Sequence, residues 1–200
     1  MKLLFTCILC TLLTAVRSQP HEGRPAQFSF KAGASYNLMN FNAGGNTGTA
    51  TFLNKWKPGF YLGGALTVPV DETFSFRPEY LYRYMGGREE GRKLDYTVHY
   101  LSLPVLLKAA LSRKVALVAG PEFGLMIHTS QSSAGASYNV THDTEERAIW
   151  AVGGVEWRVA GSLFVEGRYL HGLNHIGLGQ RSDIREFKWR GAEVGIGWGW

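Results

Sequence analysis

From about residue 28 onward, apolar and polar side chains alternate with a period of two, and the 3.6-residue period of an amphipathic helix does not appear. The first run sets Phe28, Phe30, Ala32, Ala34 and Tyr36 against Ser29, Lys31, Gly33, Ser35 and Asn37. A second spans about Phe60 to Val68. The third places Phe74, Phe76, Pro78, Tyr80, Tyr82 and Tyr84 opposite Arg77, Glu79 and Arg83. The fourth places Leu101, Leu103, Val105 and Leu107 opposite Tyr100, Ser102, Pro104 and Lys108. Four more run from Val115 to Leu125, Ile149 to Trp157, Leu163 to Tyr169 and Val194 to Trp200. Strands of about ten to twelve residues exceed the globular mode and suit a tilted crossing of a bilayer.

The connections sort by length. Short ones (70–72, 111–113 and 160–161) alternate with long ones at 39–57, 85–94, 130–147 and 176–186. Bacterial outer-membrane barrels have this alternation, with short periplasmic turns and longer extracellular loops. A soluble sandwich has no reason to sort its loops by parity. The pattern predicts an all-β fold, an eight-stranded antiparallel up-and-down transmembrane β-barrel over residues 27–200.

Each strand's apolar face ends in aromatics. Tyr36, Tyr82, Tyr84 and Tyr169 fall toward one interface, and Phe30, Phe74, Trp157, Trp198 and Trp200 toward the other, as two girdles require. The opposite faces carry Arg77, Glu79, Arg83, Glu122, Glu156, Arg158, Glu166, Arg168 and Glu193. An eight-stranded lumen has room for side chains only, so these nine are expected to pair across it.

The N-terminus stands apart. Met1-Lys2, an apolar run from Leu3 to Val16, and the Val16-Arg17-Ser18 end predict a signal peptide over 1–18, followed by a short periplasmic segment, 19–26. Cys7 and Cys10, the two cysteines of the chain, both lie in that run, so the mature part has no thiol chemistry. Charged residues are 18% and aromatics 13%, a balance that argues against disorder. The formal charge of +5 includes Lys2 and Arg17, and no basic stripe with interleaved aromatics points to nucleic acid. At the other end, Glu193, Gly195, Trp198 and Trp200 have the order of a C-terminal sorting signal presented to barrel-insertion machinery.

Three stretches resemble the outer-membrane β-barrel family common in Bacteroidetes, which includes the PorT-like proteins. They are Tyr100-Leu101-Ser102-Leu103-Pro104-Val105-Leu106-Leu107-Lys108, Gly120-Pro121-Glu122-Phe123-Gly124-Leu125, and Arg168-Tyr169-Leu170-His171-Gly172-Leu173-Asn174-His175-Ile176. Such proteins more often carry an acidic residue where this chain has Ser102. The resemblance implies a fold and a place in the cell outer membrane, not a reaction.

Enzymatic candidates are His99, His128, His142, His171 and His175, with Ser130, Asp143, Glu145 and Glu146 nearby in sequence. Parity sends His171 and His175 outward, away from Glu166 and Arg168, and places His128 inward with Glu122. No nucleophile, base and orienting carboxylate converge in the pattern. No catalytic, metal or cofactor site is therefore expected. The expected partners are outer-membrane lipid and lipopolysaccharide, the insertion machinery, and an extracellular or secretion-complex partner reached through the long loops. The expected function is that of a non-enzymatic barrel serving as an envelope structural element, a surface binding platform or an accessory of a secretion or transport complex. An outer-leaflet lipid or peptide hydrolase and a soluble lipocalin-like ligand-binding barrel are the alternatives.

Overall fold

The computed structural model describes residues 25–41, 54–89, 93–133, 136–141, 144, 146–178 and 185–200. The predicted signal peptide lies outside these residues, as does 19–24 of the segment after it. Among the described residues ten strands follow one another: β1 (Gln27–Asn40), β2 (Asn54–Pro69), β3 (Phe74–Glu89), β4 (Leu94–Ala110), β5 (Val115–Ser133), β6 (Ala136–Asn139), β7 (Arg147–Ala160), β8 (Leu163–Gly172), β9 (Ile176–Leu178) and β10 (Arg185–Gly199). Eight form the wall in the order β1-β2-β3-β4-β5-β7-β8-β10, and β1 pairs with β10 to close it. Every pairing is antiparallel. The short β6 and β9 extend β5 and β10 at the loop end.

The stagger follows from the register. Tyr36 pairs with Ala192, Ala192 with Tyr169, Tyr169 with Gly153 and Gly153 with Ala119. Ala119 pairs with Leu107, Leu107 with Phe76, and Phe76 with Val68. Val68 stands one step past Thr67, whose partner is Gln27, so the circuit returns to position 26, ten residues below Tyr36. A stagger of ten over eight strands tilts them by about 40° at ordinary strand spacings.

All three predicted short connections are tight turns at the end that also holds Gln27 and Trp200. In the β2–β3 turn the Asp71 carboxylate accepts the Thr73 and Phe74 amides, each at 2.7 Å. Ser112 Oγ accepts the Lys114 and Val115 amides in the β4–β5 turn. Gly161 supplies the left-handed conformation of the third, with φ of 52°.

The long connections are shorter than predicted because the strands continue into them. β2 begins at Asn54, β3 runs to Glu89 and β5 to Ser133, so 54–57, 85–89 and 130–133 are ladder rather than loop. Along these extensions the alternation inverts. In the turn-end part of β4 the outward residues are Leu101, Leu103, Val105 and Leu107, and buried Ser102 faces the lumen. In its loop-end part Tyr96, Val98 and Tyr100 are buried inside, while Asp95, Thr97 and His99 face out. β10 does the same, with Phe187 and Trp189 inside near the loops but Glu193 inside below them.

Some strand positions have no space for a side chain. A Cβ on Gly63 would run into the Tyr80 carbonyl oxygen, whereas one on Gly153 would meet nothing within 4 Å. Gly63→Val is therefore expected to lose about 1–3 kcal/mol or fail to fold. Gly153→Ala should keep the wild-type folded fraction, read as the heat-dependent mobility shift on gel electrophoresis.

The two amides on Asp71 hold its carboxyl below the usual range. A depressed folded pKa stabilises above the unfolded value and ceases to do so as pH falls through the folded one. The unfolding midpoints of wild type and Asp71→Asn should thus differ most near neutral pH and converge as pH drops below about 4. A gap that stays constant to pH 2 would remove the turn carboxylate as the cause.

Candidate functional site

The lumen divides into three layers. In the turn-end layer, Arg168 forks Glu79 through Nη1 and Nη2 at 2.8 and 2.6 Å, and Nη2 also reaches Glu166 Oε2 at 2.8 Å. Lys31 Nζ lies 2.9 Å from Glu79 Oε2 and 2.5 Å from Glu166 Oε1. Tyr61 donates its hydroxyl to Glu166 at 2.8 Å. Nearer the turns, Arg77 and Lys108 both bind Glu156, and Arg77 Nε sits 3.1 Å from Glu79 Oε1. Phe164 lies under the Arg77 guanidinium, 5.1 Å from ring centroid to Cζ.

The middle layer is one guanidinium on two carboxylates. Arg83 forks Glu122 through Nε and Nη2, the latter at 2.9 Å, and gives Nη1 to Glu193. Ser102 donates its hydroxyl to Glu122. Arg83, Glu122 and Glu193 are all buried, so the guanidinium and the two carboxylates compensate one another at close range.

The loop-end layer is apolar and aromatic. Met39, Phe41, Met85, Tyr96, Tyr100, Met126, Trp150, Phe187 and Trp189 are buried together. Trp150 meets Tyr100 edge to face at 5.2 Å, and Phe187 meets Trp189 at 5.3 Å. Trp189 Nε1 donates to the Tyr100 hydroxyl at 3.1 Å, which supplies the partner its buried N–H needs.

Eight of the nine predicted lumen charges take part in these layers. Arg158 is the correction. It shares their parity but sits at the last turns of β7, exposed at the turn-end mouth, where the wall no longer encloses it. Lys31, Lys108, Tyr61 and Ser102 were not among the predicted network. Each stands at the parity of its strand's polar face, so the signal was present.

His128 is a second correction. The β4–β5 register shifts between His99 and Tyr100, where His99 pairs with His128 but Tyr100 with Met126. The extra residue, Ile127, is exposed, and beyond it Thr129 takes the buried position that parity gave to His128. His128 therefore shares the outer face with His99, ring centroids 5.4 Å apart. His99 Nδ1 hydrogen-bonds the Tyr82 hydroxyl at 2.6 Å. His171 and His175 are exposed, as predicted. His142, Asp143 and Glu145 lie outside the described residues. Among the described residues no three His, Cys, Asp or Glu side chains gather as a metal site.

The outer face carries the two aromatic girdles. Phe28, Phe30 and Trp200 cluster at the turn end, with centroids 5.0–5.6 Å apart. Toward the loops, Tyr36 stacks on Trp56 and Phe60 on Tyr84. Between them Leu62, Val194 and Ile196 are exposed. An apolar exterior around a charged lumen is the reverse of a soluble lipocalin. Within the last strand Glu193 faces inward, Gly195 is buried, and Trp198 and Trp200 project outward, 58% and 65% exposed.

A family model described as outer membrane protein beta-barrel domain matches residues 17–177. The chain belongs to this family. Its members' place, the outer membrane, accounts for the apolar exterior and the closed ladder, since backbone groups in lipid must pair within the protein. By the orientation usual for such barrels, the turn end is periplasmic and the loop end extracellular. Among solved structures, the attachment invasion locus protein Ail of Yersinia pestis superposes with a TM-score of 0.51 at 14% identity, covering 88% of this chain and 99% of Ail. Neisserial surface protein A superposes at 0.53 with 10% identity, covering 88% and 99%. At such identities the likeness is one of fold. No curated protein matches the sequence.

Arg83 gives the sharpest test of the lumen in this outer-membrane barrel. Arg83→Met strands Glu122 and Glu193 in a buried site and should cost about 3–5 kcal/mol in urea unfolding from lipid vesicles. Ser102→Ala, which removes one hydrogen bond to a charged group, should cost about 1.5–3 kcal/mol. Equal midpoints for Arg83→Met and wild type would mean the layer does not hold the barrel.

Proposed function

We propose that this barrel is a non-enzymatic, non-conducting platform of the outer membrane whose loop end receives an acidic partner at the cell surface. One observation carries the reading: side chains fill the lumen from the turn-end charges to the loop-end aromatics, while β3, β4 and β5 rise well past the outer girdle. From Tyr84 to Glu89 alone the wall gains about 12 Å. A filled interior leaves the rim as the surface on which a partner can act, and loops on a rigid scaffold are the usual place for binding.

The rim carries a small positive excess, ten Lys and Arg against eight Asp and Glu over segments 39–57, 85–95, 130–147 and 176–190, which favours an acidic partner. Ail has been crystallised in complex with the heparin analogue sucrose octasulfate, which makes a sulfated sugar a sensible first probe for this chain. The scattered histidines, two of them on the lipid-facing side, favour no hydrolase. A cleaved signal peptide over 1–18 and a PorT-like affiliation complete the proposal, on the sequence features given above.

The test is binding of a sulfated polysaccharide to cells displaying the full-length chain, alongside conductance across planar bilayers. Binding that weakens steeply with salt and falls on deleting residues 43–52, with no unitary conductance, is the expected result. Discrete channel openings, or wild-type binding after the deletion and after charge removal at Lys57 and Arg88, would overturn it.

A further inference from the structure

The periplasmic mouth contains a feature that neither the closed lumen nor surface binding requires. A cavity of about 100 Å³ opens there, its lining including Arg77, Lys108, Arg158 and Glu156 together with Phe28 and Trp200. A single water needs only about 10–15 Å³, so there is room for a polyatomic group.

Its electrostatics are unbalanced. Among the described residues the lumen holds five cations (Lys31, Arg77, Arg83, Lys108 and Arg168) and five carboxylates (Glu79, Glu122, Glu156, Glu166 and Glu193), equal in number but not in place. The middle layer puts two carboxylates on Arg83. The turn-end layer keeps four cations for Glu79, Glu156 and Glu166, and Arg158 at the mouth adds a fifth with no ion-pair partner among the described residues.

A second observation points to a ligand. Arg77 is 1% exposed and lines this cavity; its Nε and Nη2 stand 3.1 Å from Glu79 Oε1 and 3.9 Å from Glu166 Oε2 without hydrogen-bond geometry to either. A buried guanidinium poorly aligned with its carboxylates keeps hydrogen-bonding capacity for a further acceptor. Glu156 is shared between Arg77 and Lys108 and cannot neutralise both.

We propose that the mouth is an oxyanion site that takes a phosphate group, held by Arg77, Lys108 and Arg158. Guanidinium groups suit phosphate through their fixed fork of donors, and the lysine adds a point charge. Two sources can supply the group. Phe28 and Trp200 line the cavity and also belong to the turn-end aromatic girdle, so a phospholipid headgroup at that interface lies beside it. Free phosphate in the periplasm is the other.

The experiment uses the refolded barrel in maltoside micelles, which carry no phosphate. Inorganic phosphate is titrated at constant ionic strength against chloride, while NMR follows the Trp200 indole N–H and the arginine Nε–H signals. A saturable shift at Trp200 and Arg77, weakened roughly tenfold in Arg158→Gln and again in Lys108→Gln, is expected. Arg158 is exposed and makes no ion pair among the described residues, so its replacement should leave folding intact, checked by the gel mobility shift. A linear response equal for chloride and phosphate, or a saturable one unchanged in Arg158→Gln, would overturn the site. Nanodiscs of phosphatidylglycerol separate the sources. A shift present before phosphate is added assigns the group to the headgroup, and one that appears only on addition assigns it to the free ion.

Discussion

A stagger of ten over eight strands fixes a wall so narrow that whatever points inward must be satisfied by something else pointing inward. No solvent column passes through to rescue a misplaced charge. The nearly complete pairing of Lys31, Arg77, Arg83, Lys108 and Arg168 with five glutamates follows from that constraint rather than from any one contact. So does the glycine content of β10. Gly33 and Gly195 leave space for the Tyr61 ring on the same rung and Gly197 for its ladder partner Phe164, so both rings lie along the wall over neighbouring strands where a Cβ would block them.

The same wall solves two different problems along its length. Within the bilayer the surroundings are apolar, so the outer face is Leu, Val, Phe and Trp, and polarity moves inside. Above the outer girdle the surroundings are water, and the strands revert to the soluble arrangement with a hydrophobic interior. β4 makes the change between Ser102 and Tyr100, and β10 between Glu193 and Trp189. Tyr100 and Trp189, joined by a hydrogen bond, lie on the apolar side of this boundary and Arg83 on its charged side.

That inversion explains what could be read from the sequence and what could not. The eight membrane strands, the turns and eight of nine lumen charges were legible because a single rule, apolar out and polar in, holds for all of them. The loop-end ladder obeys the opposite rule. Tyr96, Val98 and Tyr100 inside, with Asp95 and Thr97 outside, do not extend a membrane pattern, so 85–94 and 130–147 read as loops although β3 holds 85–89 of the first and β5 and β6 hold 130–133 and 136–139 of the second. Trp150 and Trp189 share strand parity with Glu156 and Glu193. An aromatic at a polar-face position was the available sign of an aromatic core. Lys31 was missed for a different reason, since one lysine among serines carries little weight until Glu79 and Glu166 are placed opposite it.

Parity fails outright where a residue is inserted. The register shifts between Trp56 and Phe60 in β2, and between His99 and Tyr100 in β4, both near the outer girdle. A strand leaving lipid must exchange its faces, either by changing which residue types occupy each parity or by adding a residue that turns the parity over. β4 takes the first route. β5 takes the second at Ile127, which keeps an apolar side chain outward at the girdle and swings His128 out beside His99. Thr129 then goes inside, where its amide is held by Thr141 Oγ1 at 2.9 Å. The bulge is thus part of the transition between two solvents, and a histidine that parity would bury against Glu122 ends on the opposite face from it.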